Sequence, residues 1–402
     1  MEKYTFSHLG EEDVQGFLDL MRQVFDESVA RMVYKFIHHH PEISQEEFFL
    51  FKSEGKPVAG LVLIPQVWSL DGVKIRVAEM GCVATQEAHR RRGLQSKLVE
   101  RYHKRLQRDN YDLSVIEGIP FFYRQFGYQY ALPLDEKTLI DVDDLPNCNK
   151  EYKIRPLKIE EISEAKRLLE ELNQNYLVTS VRSKDQWLVQ ERYFPQEQKG
   201  SRTYVLEYNG KIDGYFRLYA REHEICLTEA SYIDIKKAES LLTFIRKRAK
   251  REGLERLSSS VSYSHPVSEI LTSLGGFKRN SYAWQVRVMD HKRIFEKMRP
   301  VFERRLNASH YKRLTEKLHF NFYRFTVKVD VIGGRIDEVT HISHGEGDEI
   351  RINPYVFPQL LFGYKSLDEL AEYYPDVKID RGRWEIVSRM FPRGQSCIST
   401  CY

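Results

Sequence analysis

The stretch VATQEAHRRRGLQSKLVERYHKRL, from Val83 to Leu106, places three arginines and a glycine between an apolar run and an amphipathic segment. After Gly93, leucine or tyrosine recurs at every fourth residue, which predicts a helix over 94–108 with one apolar face packed on a sheet. The positive end of a helix dipole repels cations. The arginines at this end therefore predict a bound anion such as a diphosphate, which first-turn N–H groups and guanidinium groups would hold together.

Length and composition limit the class of protein. The chain has 402 residues, enough for two or three domains, and its 62 basic and 58 acidic residues give a net charge of +4. This balance disfavours a general binder of nucleic acid or membranes, so we expect neither partner and a local anion site instead. No apolar run is long enough to span a membrane, and the N-terminal stretch lacks the apolar core of a signal peptide. We expect a cytoplasmic protein.

The cysteines and histidines form no metal-binding pattern. The five cysteines are scattered without a C-x-x-C pair, which is typical of reduced thiols. The adjacent histidines 38–40 alternate in direction and have no nearby ligand at suitable spacing, so they indicate a solvated loop before Pro41. We expect no metal.

A weak internal repeat indicates two copies of one α/β domain. The segments FFLFKSEGKPVAGLVLIPQ, from Phe48, and TYVLEYNGKIDGYFRLYA, from Thr203, each read as strand, Gly-Lys turn and strand. Each is followed by a strand, a helix, a strand and a glycine-aromatic turn. We therefore expect tandem domains at 1–150 and 151–289.

The second copy and the third region lack the anion motif. Where the first copy has R-R-R-G-L, the second has DIKKAESLL, so we expect it to be degenerate. Residues 290–402 begin with a basic segment predicted as helical over 291–318 and continue with a Gly333-Gly334 hairpin, which predicts an α+β domain. The later segment RWEIVSRMF reads as strand-like.

The motif order in the first copy resembles the GCN5-related N-acetyltransferase (GNAT) family. The loop from Arg90 to Gln95 matches that family's Q/R-x-x-G-x-G/A pattern, with Gln95 in place of the usual small residue. The segment FFYRQFGYQYA, which contains Tyr123 and Gly127, resembles its closing motif. The whole arrangement is similar to the Eis (enhanced intracellular survival) type, with two tandem GNAT-like domains, the second degenerate, and a sterol-carrier-protein-like third domain.

The resemblance implies acetyl-CoA as the co-substrate. The strand residues Val83, Ala84 and Thr85 would bind the pantetheine arm through their backbone groups. The loop and the first helical turn would cradle the pyrophosphate, and the residues implied are Arg91, Arg92, Gly93, Leu94, Gln95 and Ser96.

The resemblance also implies catalytic roles. Tyr123 corresponds to the general acid that protonates the departing thiolate. The base implied for the Eis type is the terminal carboxylate, here that of Tyr402, and Glu79 on the strand before Val83 is the alternative. Asp26 and Glu27 either line an amine-binding pocket or lie on a solvated helix face.

The acceptor implied is a primary amine, either a small molecule of the aminoglycoside or polyamine type or a protein lysine. Relatives of this type assemble as homo-oligomers, commonly hexamers. Two alternatives stay open: a non-catalytic protein that binds a lipid or small molecule through its third domain, and an enzyme that transfers a longer acyl chain.

Overall fold

The computed structural model of the chain describes residues 4–134, 136–148, 151–197, 202–347 and 349–399. Strands lie at Thr5–His8 (β1), Phe48–Ser53 (β2), Lys56–Leu70 (β3), Val73–Thr85 (β4), Leu113–Ile116 (β5), Gln129–Leu134 (β6), Thr138–Asp141 (β7), Lys153–Pro156 (β8), Val178–Val181 (β9), Arg202–Tyr208 (β10), Lys211–Arg221 (β11), Glu224–Ala230 (β12), Arg256–Ser259 (β13), Phe277–Lys278 (β14), Tyr282–Val288 (β15), Glu316–Asn321 (β16), Thr326–Ile332 (β17), Arg335–Ile342 (β18), Ile350–Arg351 (β19), Lys378–Ile379 (β20) and Ser396–Cys397 (β21). α-Helices lie at Val14–Val24 (α1), Glu27–His38 (α2), Leu94–Arg108 (α3), Ile162–Asn173 (α4), Lys184–Glu197 (α5), Ile235–Glu252 (α6), Pro266–Ser273 (α7), His291–Asn307 (α8), Phe357–Leu361 (α9), Leu367–Tyr373 (α10) and Arg381–Met390 (α11).

The described residues group into two compact units. The first combines residues 4–13, 46–132 and 283–396, and the second combines 14–45, 133–282 and 397–399. Neither unit is continuous in sequence, so the boundaries expected at 150 and 289 follow a different division and stay a prediction.

The first unit contains a mixed sheet with the strand order β1-β2-β3-β4-β5-β15-β6. Strands β1 to β4 are antiparallel neighbours, and β4 and β5 are parallel. Helix α3 has the predicted bounds, and its buried side chains Leu94, Leu98, Tyr102 and Leu106 pack into the core over this sheet. The four-residue spacing read from the sequence therefore gives the correct helix and the correct buried face.

Strands β4 and β5 are paired as far as Glu79, which lies opposite Val115, and they separate beyond it. Residues 80–85 of β4 continue alongside β3, where one residue, Leu61, lies opposite Cys82 and Val83. Cys82 has a φ of +52°, so this bulge uses a left-handed residue to bend β4. A parallel pair that separates in this way leaves backbone groups of one strand open to a ligand.

In each main sheet a strand from the far end of the other predicted copy lies within the strand order. In the first sheet β15, which lies at the end of the second predicted copy, is placed between β5 and β6. In the second unit the sheet order is β14-β7-β13-β12-β11-β10-β8, so β7, which lies near the end of the first predicted copy, is placed between β13 and β14. Helix α6 and these strands enclose an apolar core of their own.

Residues 283–396 also form a five-stranded sheet with the order β18-β17-β16-β19-β20. The Gly333-Gly334 turn joins β17 and β18 as predicted. The helix predicted over 291–318 is wrong at its C-terminal end, because α8 stops at Asn307 and residues 316–321 form a strand.

The strand-like assignment of RWEIVSRMF is also wrong, because the segment lies in α11. Its buried residues Ile386, Val387 and Met390 are three or four positions apart, which is the spacing of a helix face. Its β-branched residues suggested a strand, but tertiary packing decided the outcome. No helix in the described part of the chain is long and apolar enough to cross a membrane.

Candidate active site

The loop between β4 and α3 exposes the start of the helix. After a short 3-10 turn at Glu87–His89, Arg91 has a φ of +60° and Gly93 a φ of +73°. Gly93 is the residue before α3, and no side chain caps the helix there. A Cβ added to Gly93 would meet no atom within 4 Å, so the space above this backbone is open. The first-turn N–H groups of a helix have no acceptor within it, so this end suits an anion.

The three arginines have different surroundings. Arg92 donates from Nη1 to the Tyr4 hydroxyl (2.8 Å) and from Nη2 to the Ala88 carbonyl (3.3 Å). Arg90 donates to the Thr85 carbonyl over a longer 3.4 Å. These contacts shape the loop, whereas the exposed Arg91 sits at the left-handed turn just before the helix.

Gln95 ties the first turn of α3 to the end of β4. Its Nε2 donates to the Ala84 carbonyl (2.5 Å) and to the Thr85 hydroxyl (2.8 Å). The departure from a small residue at this position therefore has a structural use. Leu94, predicted to bind the cofactor, buries its side chain with 2% exposed, so only its backbone N–H can face a ligand. Ser96 is exposed on the same turn.

The predicted acid, Tyr123, lies in a 3-10 turn at Phe122–Phe126 that follows β5. Left-handed residues Phe121 (φ +65°) and Gly127 (φ +86°) flank the turn. The ring of Tyr123 is 5% exposed and packs in the same core cluster as Leu94 and the partly buried Val83. The structure therefore brings the Tyr123 turn, the end of β4 and the start of α3 around one core.

Glu79, the alternative base, is 4% exposed on β4. The Trp68 indole, which can only donate, bonds Gln66 Oε1 (2.8 Å), so the Gln66 amide N–H faces Glu79 and donates to Oε2 (2.5 Å). Burial and the Glu79 charge raise the pKa of the Cys82 thiol to about 12, which keeps this neighbouring thiol neutral. Gln66 was missed at the sequence level, although a glutamine within an apolar strand was an available signal.

Two other predicted groups complete the comparison with the sequence. Tyr402, the other candidate base, lies outside the described residues. Asp26 caps helix α2 by accepting from Ser28 N and Val29 N, and these contacts, with the Ser28 hydroxyl first, lower the pKa of its carboxyl group. Within the described ranges no group of His, Cys, Asp or Glu is arranged to hold a metal ion.

The second copy differs from the first at the corresponding positions. Helix α6 is preceded by Asp234, whose carboxylate accepts from Lys237 N where the first copy has an uncapped glycine. On β12, Glu229 forms a buried two-bond ion pair with Arg182. Burial favours the neutral form of Glu229, but Arg182 and Arg217 outweigh it and lower its pKa to about 2. The Asp234 carboxylate therefore lies at the helix start that is uncapped in the first copy, and the degenerate second copy stays a prediction.

Comparisons with known proteins agree with this geometry. A family profile described as an acetyltransferase (GNAT) domain matches residues 5–131. A probable N-acyltransferase from Enterococcus faecalis is similar over 100% of both chains, with a TM-score of 0.76 and 15% identity. A GCN5-related N-acetyltransferase from Anabaena variabilis covers 99% of this chain and 100% of its own, with a TM-score of 0.77 and 15% identity. Eis1 from Mycobacterium abscessus covers 100% of both chains, with a TM-score of 0.65 and 13% identity. A search of curated proteins finds no match.

These findings define the class of the first domain. Residues 5–131 form a GNAT acetyltransferase domain, so this part of the chain belongs to that family. The remainder of the chain has the fold seen in the full-length structures of GNAT N-acyltransferases. The resemblance drawn from the arginine loop and the tyrosine turn is thereby confirmed.

Proposed function

We propose that the protein transfers an acetyl group from acetyl-CoA to a primary amine. The observation that carries the proposal is the uncapped start of α3, with Gly93 and Arg91 beside it, at the end of a strand that has parted from β5. In this proposal Arg91, Arg92 and the first-turn N–H groups bind the diphosphate of CoA. Backbone groups of 83–85 bind the pantetheine arm, which directs the thioester towards Tyr123.

The chemistry assigned to the site is direct attack. The amine nitrogen attacks the thioester carbonyl carbon, the C–N bond forms and the C–S bond breaks. A base takes the proton that the amine loses, and Tyr123 donates its phenol proton to the departing thiolate sulfur. Amines of pKa ~10 are mostly protonated at neutral pH, so the base is needed before attack. A positioned acid contributes about 10²–10⁴ in rate.

The base is assigned to the terminal carboxylate of Tyr402, with Glu79 as the alternative. Support for Glu79 is its burial on β4, where its carboxylate accepts a hydrogen bond from Gln66. The acceptor is a primary amine of the aminoglycoside, polyamine or lysine type, and the functional form is a homo-oligomer.

The test is CoA release from acetyl-CoA by the purified full chain in the presence of an aminoglycoside, a polyamine or a lysine peptide. We expect at least one amine to gain one acetyl group by mass spectrometry. Parallel reactions with longer acyl-CoAs identify a longer-chain acyltransferase, and thermal shift with a fatty acid identifies a lipid-binding protein. No acetylated amine, together with no thermal shift from acetyl-CoA, would overturn the proposal.

A further inference from the structure

The turn that carries Tyr123 is held at both ends by one strand from far along the chain. Before the turn, the Gly118 carbonyl accepts a hydrogen bond from Gln285 Nε2 (2.8 Å). At its end, the Phe126 carbonyl accepts one from Arg287 Nη1 (2.5 Å). Gln285 and Arg287 are two positions apart on β15, so they lie on the same face of that strand.

Strand β15 provides a firm support for these contacts. It pairs antiparallel with β5, with Gln285 opposite Ile116 and Arg287 opposite Ser114. Gln285 is 1% exposed, so its amide is fixed in a packed environment. The turn between 118 and 127 therefore starts from β5 and is bound on both sides by the neighbouring strand.

Arg287 also begins a chain of hydrogen bonds that crosses the site and is partly exposed at Arg287 and His103. The bonds run from Arg287 Nη1 to His103 Nδ1 (3.2 Å), from His103 Nε2 to Tyr128 Oη (2.9 Å), from Tyr128 Oη to Ser114 Oγ (2.6 Å), from Ser114 Oγ to Tyr102 Oη (3.0 Å) and from Tyr102 Oη to the Ala78 carbonyl (3.0 Å).

The two ends of this chain fix the direction of every bond in it. A guanidinium group can only donate and a carbonyl can only accept, so each group between them accepts from one side and donates to the other. His103 must therefore carry its proton on Nε2. Burial, and to a lesser extent the charge of Arg287, lower the pKa of His103 to about 3, in agreement with this neutral form. These hydrogen bonds connect β15, α3, β5 and β4 with Tyr128, which follows the turn that ends at Gly127.

We infer that Gln285 and Arg287 are positioning residues for Tyr123, and that β15 completes the active site of a domain that ends some 150 residues earlier in sequence. Neither side chain is assigned a contact with the reacting groups. They hold the two carbonyls that bracket the turn, and Arg287 also orders the chain that links the turn to α3. The catalytic part of this inference rests on the proposed function.

The test compares Arg287→Met and Gln285→Leu with a matched control, Arg293→Met. Arg293 also donates to a backbone carbonyl, that of Tyr111 (3.1 Å), but it is not bonded to the turn. We expect Arg287→Met to lower kcat at least tenfold with KM for acetyl-CoA changed less than threefold. We expect Gln285→Leu to lower kcat in the same way, Arg287→Lys to recover part of it, and the control to stay within twofold.

Amide hydrogen exchange of 118–128 is measured on the same proteins without substrate, after thermal unfolding has shown that each is folded. We expect faster exchange of this segment in Arg287→Met and Gln285→Leu than in the control. Wild-type kcat in both variants, or unchanged exchange of the segment, would overturn the inference. An inactive wild-type protein would instead refute the proposed function, while the exchange measurement still decides whether these residues position the turn.

Discussion

The ring of Tyr123 lies against the backbone of Gly118. A Cβ built on residue 118 would come within 2.3 Å of both Cδ2 and Cε2 of that ring and 3.1 Å from Gln285 Nε2. Real Cβ contacts are not this short, so a side chain at 118 must displace the ring. The position of the proposed acid therefore depends on the absence of one methyl group.

Gly118→Ala tests this dependence. We expect a loss of about 1–3 kcal/mol in the free energy of unfolding because the site becomes overpacked. We also expect at least a tenfold fall in kcat with KM for acetyl-CoA changed less than threefold. Gly382→Ala is the control, since its added Cβ would meet no atom within 4 Å. Full kcat in Gly118→Ala would show that the ring position is not critical.

Tyr123→Phe removes the proposed proton donor and keeps the ring. We expect kcat to fall about 10²–10⁴-fold because the thiolate leaves without a positioned acid. Binding of acetyl-CoA, measured by calorimetry, should change little because the hydroxyl is not assigned to the diphosphate site. A variant with unchanged kcat would remove Tyr123 from the mechanism.

The choice between the two bases is tested by adding two glycines after Tyr402 and, separately, by Glu79→Gln. The extension moves the terminal carboxylate without changing any side chain, so we expect at least a tenfold loss of kcat. Glu79→Gln keeps the shape and an acceptor for the Gln66 amide, and we expect a smaller loss. Normal turnover in the extended protein would transfer the role of base to Glu79 or to water.

His103 gives a pH-dependent contribution to stability. Its pKa is lowered to about 3 in the folded protein, from about 6.5 in an unfolded chain. Between these values the unfolded state binds a proton that the folded state does not, so stability falls as the pH falls from about 6.5.

We expect the free energy of unfolding, measured with denaturant between pH 6.5 and 4, to fall less steeply with falling pH in His103→Gln than in the wild type. The slopes should differ by up to ~1.4 kcal/mol per pH unit, which corresponds to one bound proton. The control is His223→Gln, at an exposed turn. Identical slopes in wild type and His103→Gln would contradict a His103 that is neutral in the folded protein.

The local parts of the fold and site follow from the sequence. Helix α3 was predictable because its apolar residues recur every four positions, and the turn at Gly93 because an arginine run before a helix needs an anion. The Tyr123 turn was identified through its resemblance to a family motif. All of these signals lie within about twenty residues of the feature that they predict.

The contributions of distant segments did not follow from the sequence. Nothing in YAWQVRV states that this strand lies between β5 and β6, since strand order depends on packing that involves the whole chain. The two polar residues Gln285 and Arg287 within this apolar strand were the available signal of a buried polar contact. The segment RWEIVSRMF was wrongly predicted as a strand because of its β-branched residues. The spacing of its buried residues is that of one face of a helix.

The central claim is that the start of α3 and the adjacent arginines bind the diphosphate of CoA. Isothermal titration calorimetry of the wild-type chain with CoA and with acetyl-pantetheine, which lacks the diphosphate, tests it most directly. Arg91→Gly is the matched variant, because glycine suits the φ of +60° and the change removes the side chain that carries the guanidinium group. We expect one CoA per chain, binding of acetyl-pantetheine at least a hundredfold weaker, and CoA binding to Arg91→Gly weakened about tenfold or more, as for a lost charge-assisted hydrogen bond. No heat from CoA, or equal affinity for CoA and acetyl-pantetheine, would contradict the claim.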